Sequence, residues 1–166
     1  FRAAMTGHQV FSTLHTNSAL RSFQRIKDLG VSPEVMAGNI IGIVAQRLVR
    51  RLCPHCREAV VVTDGSVEAT LIGEHAIGRT VYRAHQGGCE LCGFRSYKGR
   101  LAIMELLRMD SELDELITRN ASLAELTAQA LKVGFAPMAD DGLRRVLEGI
   151  TTVEEVGRVV DLTTRL

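Results

Sequence analysis

Cys53-Pro54-His55-Cys56, followed after 32 residues by Cys89-Glu90-Leu91-Cys92-Gly93, is the part of the sequence that decides how the chain is organised. Two Cys-x-x-Cys pairs supply four thiolates, the donor set of a tetrahedral zinc site. The two-residue spacing lets each pair form a tight knuckle with both sulfurs aimed at one centre. Gly93 eases the exit from the second knuckle because glycine tolerates positive φ. The gap of 32 residues exceeds the roughly 15–20 of common zinc ribbons, so the site carries an insert. Four protein ligands leave no open position for water, which makes the expected role structural. Binding would then contribute on the order of 10 kcal/mol or more to local folding.

Three other chemistries fit the same cysteines less well. Disulfides need an oxidising compartment, and no signal peptide is visible. A redox Cys-x-x-Cys normally opens a helix beside a strand. Iron in a rubredoxin-like site accepts the same four thiolates. Zinc is the expected ion, and His55, His75 and His85 are then spare. Arg50, Arg51 and Arg57 flank the first pair. They read equally as offsetting the −2 formal charge of a zinc tetrathiolate and as a solvated face.

Outward from the cysteines, the composition is that of a folded protein. Apolar residues make up 46% and charged residues 23% of 166 residues, which excludes a disordered chain. Aromatics are only 4% with no Trp, so the core must come from Leu, Ile, Val and Ala. A net charge of +1 offers no basic face for nucleic acid. No apolar run reaches the ~18 residues of a membrane span. The chain opens at Phe1, apparently inside a helix, and reads as a piece of a longer protein.

Before the cysteines, Gln9–Leu14 reads as a mostly buried strand. Asn17 is the expected N-cap of a helix carrying Leu20, Phe23, Ile26 and Leu29 on one face and ending at Gly30. Ser32-Pro33 opens a second expected helix, running to about Leu48 and apolar on most sides. A strand followed by two helices suggests the edge of an α/β sheet domain. Between Cys53 and Met104 short strands are expected at Thr80–Arg83 and Leu101–Met104, with a helix through Val67 to Glu74. After Arg108 the chain reads as helical. One helix starts at Asp110 or Ser111, and another starts at the capping box Ser122-Leu123-Ala124-Glu125 and ends at Gly134. A third runs from Pro137 to Gly149, and a second capping box lies at Thr152–Glu155. The expected division is 1–52, 53–107 and 108–166: an α/β part, a four-cysteine insert and a helical C-terminal part.

His15, Thr16 and Asn17 fall at the carboxyl end of the expected strand, where open α/β sheets place ligands. His8 falls at its other end. On the residues alone a structural role is the more common one for a histidine at a strand end, and Thr16 and Asn17 would serve as helix caps regardless.

The stretch Gly7–Asn17 closely resembles the histidine box of the secretion ATPases, the hexameric motors of type II secretion and type IV pili. Arg25–Gly30, Ala45–Pro54, Gly88–Cys92, Tyr97–Arg100, Asp141–Leu143 and Gly149–Val156 continue the resemblance over nearly the whole chain. The tetracysteine pattern resembles the type II secretion and pilus assembly members, since the pilus retraction members lack it. The resemblance implies a partial RecA-like ATPase edge with a zinc insert and a helical C-terminal part. It implies a cytoplasmic homo-hexamer at the inner membrane, with ATP and Mg²⁺ bound only by the full-length parent. The implied partners are the upstream half of the same ATPase and an inner-membrane platform protein. It places His15 near the γ-phosphate side of the nucleotide or the subunit interface, with His8 in support. Gln46, Arg47 and Arg50 form a further family motif, in which Arg47 is read as interface or nucleotide-proximal, with packing or a surface salt bridge an equal alternative.

One departure bears on the chemistry. No Gly-x-x-x-x-Gly-Lys-Ser/Thr occurs, so the phosphate cradle is missing and this chain is not expected to hydrolyse ATP alone. The rival reading is a stand-alone zinc-ribbon module for interaction or nucleic-acid binding. Arg95, Lys98 and Arg100 would serve it, and the near-neutral charge opposes it.

Overall fold

Alternation of side chains, rather than helical periodicity, governs the middle of the chain. The computed structural model describes residues 1–162. Helix α1 spans Arg2–Met5, α2 Arg21–Asp28 and α3 Pro33–Met36. Strand β1 follows over Gly42–Leu52, then β2 over Glu58–Val61, α4 over Val67–Ile72, β3 over Thr80–Arg83 and β4 over Tyr97–Arg108. Helices α5 (Ser111–Thr118), α6 (Leu123–Lys132), α7 (Met138–Leu147) and α8 (Val153–Gly157) complete the order. Single 3₁₀ turns lie at Glu74–Ala76 and Glu90–Cys92. The result is a mixed helix and sheet protein in which β1 pairs with β4, and β2 pairs antiparallel with β3. No described helix is long and apolar enough to cross a membrane.

Two expectations are corrected here. The helix from Ser32 to Leu48 is instead one turn, α3, followed by strand β1. The β-branched residues Ile40, Ile41, Ile43 and Val44 are poor in a helix and suit a pleated surface. Ala45 and Val49 are buried while Val44 and Leu48 are exposed. The apolar residues on all sides that suggested a buried helix are thus the two faces of a strand. The expected strand Gln9–Leu14 is not formed among the described residues. Extended backbone needs a neighbouring strand for its N–H and C=O groups, and none pairs with it. Its apolar residues lie open, Phe11 being 85% exposed.

The smaller signals fared unevenly. Asn17 precedes α2 without capping it, and the hydroxyl of Ser18 accepts from Arg21 N–H at 3.3 Å. Helix α4 ends at Ile72, with a 3₁₀ turn continuing to Ala76. The strand expected at Leu101–Met104 is the middle of the twelve-residue β4. Thr80–Arg83 is a strand as expected.

The described residues form two compact units. Unit 1 comprises residues 1–45 and 105–137. Its core includes Leu20, Phe23, Met36, Leu107, Leu113, Ile117 and Leu126. Asp110 caps α5 by accepting from Leu113 N–H at 2.7 Å. The Ser122–Glu125 capping box forms as expected, with the Glu125 carboxylate accepting from Ser122 N–H at 2.9 Å. Buried Glu105 accepts from the backbone N–H of Ala19.

Unit 2 comprises residues 46–104 with the segment from Met138 onward. Val49, Val81, Ile103, Met138, Leu143, Val146, Val153 and Val156 fill its core. Gly142 lies inside α7 because nothing larger fits. A Cβ there would sit 2.5 Å from Val156 Cγ1 and 3.3 Å from Ile103 Cδ1. The preceding Asp141 accepts from Met104 N–H at 3.0 Å, fixing α7 to β4.

The second expected capping box is only half made. Thr152 Oγ1 accepts from Glu155 N–H at 3.2 Å, but the Glu155 carboxylate turns away to Arg50 and Arg158. Both the backbone N–H and the guanidinium of Arg50 donate to it. These bonds hold the Glu155 carboxyl down at about 2, against the opposing effect of its burial.

Two outcomes are expected. Gly142→Ala should destabilise the chain by about 1–3 kcal/mol through overpacking, although helix propensity alone favours alanine. Urea unfolding measures this, and a neutral or stabilising result would mean that the α7 contacts are loose. The depressed Glu155 carboxyl contributes stability that is fully present above the ordinary 4.5 and is lost as pH falls through about 2. The stability difference between wild type and Glu155→Gln should therefore shrink between those two values. A difference that stays constant across the window would rule out this carboxylate as its source.

Candidate metal centre

The first knuckle begins where β1 ends. Cys53 is buried, and its N–H donates to Ser96 O at 2.9 Å. Arg57 N–H closes the turn onto Cys53 O at 3.1 Å. The second knuckle is the 3₁₀ turn Glu90–Cys92, which Gly93 leaves in the left-handed conformation at φ 60°, as expected. Phe94 and Ser96 also adopt positive φ, at 58° and 63°, a costly choice for residues with a Cβ. The tight reversal brings the chain back across Gly88. A Cβ on Gly88 would lie 2.6–2.7 Å from the backbone of Phe94, Arg95 and Ser96.

These turns bring four sulfurs together. Cys53 and Cys89 Sγ are 3.8 Å apart, Cys89 and Cys92 3.8 Å, and Cys56 and Cys92 4.0 Å. All four lie within 4.8 Å of one another. A disulfide would hold its sulfurs at about 2.05 Å. Tetrahedral coordination with metal–sulfur bonds of about 2.3 Å places sulfurs about 3.8 Å apart. The spacing is therefore that of a tetrathiolate metal site, and the four cysteines are positioned to bind one ion.

The electrostatics of the sulfurs agree. Burial and the three neighbouring sulfurs push the Cys56 thiol up to about 12. The N–H of Cys89, helped by those of Arg95 and Ser96, draws the Cys92 thiol down to about 6 against its burial. Four thiolates so close repel one another, and a divalent cation between them removes that conflict. His55, His75 and His85 stay outside the cluster, and His85 Nδ1 instead meets Glu58 at 2.5 Å. Two of the three flanking arginines, Arg50 and Arg57, make contacts with other partners. Arg50 pairs with Glu155 and lies 4.1 Å from the Tyr97 ring, and Arg57 lies 4.0 Å from the Tyr82 ring.

The remaining candidates are not gathered with this centre. In unit 1, His8 Nδ1 is 3.1 Å from Thr6 Oγ1 at the end of α1. His15 lines an open depression with Thr16, Asn17, Arg21, Gln24, Arg25 and Asp28, and His8 is not part of it. Arg47 belongs to unit 2, half-buried in β1. Sequence reasoning gave no role at the metal centre to Gly88, Ser96 or Tyr82, although Gly88 lies in the stretch that carried the resemblance and Tyr82 in an expected strand. The only advance signal was the Gly87-Gly88 pair ahead of Cys89.

A model of the family described as "Type II/IV secretion system protein" matches residues 1–158. The chain is 43% identical over 162 residues to the type IV pilus assembly ATPase TfpB of Acinetobacter baylyi, covering 98% of this chain and 28% of that protein. Type II secretion system protein E of Dickeya dadantii is 43% identical over 158 residues, 95% of this chain and 30% of its own length. The type IV pilus assembly ATPase PilB of Thermus thermophilus is 41% identical over 155 residues, 93% of this chain and 17% of its own. The chain thus spans less than a third of the length of these relatives. With the family match running from the first residue to α8 and through all four cysteines, the chain belongs to the type II/IV secretion system protein family.

Proposed function

We propose that this chain is the C-terminal part of a cytoplasmic hexameric ATPase that powers type II secretion or type IV pilus assembly. The observation that carries this reading is 43% identity to ATPases of those systems over nearly the whole chain. The ion at the cysteines is zinc, held by Cys53, Cys56, Cys89 and Cys92. It supplies a rigid cross-link between two knuckles 32 residues apart. Backbone N–H groups of the second knuckle orient the Cys92 sulfur, and the closed shell excludes water from the ion.

In this reading the first unit is the edge of a RecA-like sheet whose other strands lie in the remainder of the full-length protein. The open, apolar segment Gln9–Leu14 becomes a strand of that sheet when its neighbours are present. His15 then comes to the nucleotide at the carboxyl end of the strand, supported by His8, and Arg47 lies near the nucleotide or a subunit contact. ATP turnover belongs to the assembled protein, because the phosphate loop is not in this chain. Catalysis there consists mainly of positioning and charge stabilisation around the phosphates. The six-subunit ring passes its motion to a membrane platform protein, which recruits the motor to the inner membrane.

Two measurements test this. Elemental analysis of the chain purified without chelators should find one zinc per chain, falling below half with any single Cys→Ser change. Metal-free protein would remove the zinc assignment. For the motor, this chain should replace the matching segment of the A. baylyi TfpB ATPase and support ATP hydrolysis there. In that chimera amide exchange over residues 9–14 should slow, and His15→Ala should lower kcat by about tenfold or more. A chimera that hydrolyses ATP equally well with His15→Ala would leave His15 a structural residue.

A further inference from the structure

Arg57 directly follows the ligand Cys56, yet its side chain leaves the metal centre. The guanidinium lies over the Tyr82 ring at 4.0 Å, and Nη1 donates to the carbonyl of Gly149. Gly149 follows the end of α7 at φ 74°, and a Cβ there would collide with Tyr82 Cδ2 at 2.5 Å. Guanidinium, phenol ring and glycine backbone therefore form one close-packed stack. On the other side of the knuckle, Leu52 N–H donates to Ile150 O at 2.8 Å and Thr151 Oγ1 donates to Arg50 O at 2.8 Å. Arg50 then reaches Glu155 in the first turn of α8. In the link between α7 and α8, residues 148–152, the three central positions 149, 150 and 151 are held by residues 57, 52 and 50, which bracket the first knuckle. Thr151 and Thr152 are buried there at 0% and 2% exposure.

We propose that metal occupancy at the four cysteines controls the seating of helices α7 and α8, with Arg57 as the positioning residue that couples them. This rests on the metal reading given above. An ion fixes Cys53 and Cys56 at both ends of the knuckle, and so fixes the backbone from which Arg57 projects. Holding a long side chain in one rotamer costs conformational entropy, and a rigid base lowers the freedom to be lost. Without the ion the knuckle is closed by Arg57 N–H on Cys53 O and tied to the second by Cys53 N–H on Ser96 O. The base of Arg57 loosens, and the carbonyl ending α7 loses its donor. Coupling between two equilibria is reciprocal, so seated helices must raise metal affinity by the factor by which metal favours their seating.

The test uses the whole chain, zinc and hydrogen exchange read on peptides covering residues 150–157, with α5 and α6 as the internal reference. In zinc-loaded Arg57→Ala, exchange over 150–157 should rise by about tenfold while the β2–β3 pair stays protected. Zinc affinity, measured by competition with a chelator, should fall by the same factor, and Arg57→Lys should recover part of both. Because the variant's exchange is read in its loaded state, that comparison does not depend on the metal-free protein remaining folded. Unchanged zinc affinity in Arg57→Ala would overturn the coupling, even if α8 exchanged faster. Zinc uptake by the wild type with no change in exchange over 150–157 on its removal would overturn it too, leaving the metal site standing. Failure of the wild type to take up zinc would overturn both readings.

Discussion

Four sulfurs held within 4.8 Å are the constraint from which the second unit is built. The arrangement is poorly tolerated without a cation, since ionised thiolates repel and protonated ones make only weak hydrogen bonds. The chain accepts unusual backbone to reach it. Phe94 and Ser96 stand at positive φ, and Gly88 yields its side chain so that the second knuckle can fold back. Local strain of this kind, on the order of 1–3 kcal/mol per residue, persists only where the surroundings over-determine the conformation. A metal bond worth on the order of 10 kcal/mol is sufficient for that.

The neighbouring arginines show how charge is distributed around such a centre. Arg50 and Arg57 sit within four residues of the clustered cysteines. Each lies over a tyrosine ring and holds part of the C-terminal segment. Burial of Glu155 makes its pairing with Arg50 consequential, since breaking a buried ion pair strands a charge in a medium that solvates it poorly. The metal knuckle and the α7–α8 link are thus one packing problem solved by two cation–aromatic stacks and a buried carboxylate.

The first unit presents the opposite situation. Asp110 and Ser122 cap its helices α5 and α6, but Gln9–Leu14 forms no regular element and leaves Phe11 exposed. Helices satisfy their backbone within one segment, whereas a strand cannot do so alone. That difference explains why the helical C-terminal elements were legible and the first strand was not realised. It also explains the error at Ser32–Leu48. A run apolar on all sides fits a buried helix and a two-faced strand alike, and the choice depends on whether β4 is there to pair.

The amino-acid sequence by itself determined which four cysteines cluster, the exit glycine Gly93, the caps of α5 and α6, and the family, because each depends on residue type at short spacing. Tertiary structure alone decided that β1 is a strand, that Glu155 abandons its capping box for Arg50, and that Gly88 and Gly142 must lack a Cβ. It also decided that Arg57 faces Gly149 instead of the metal. These outcomes depend on atoms brought together from distant positions, and spacing along the chain carries no record of such contacts.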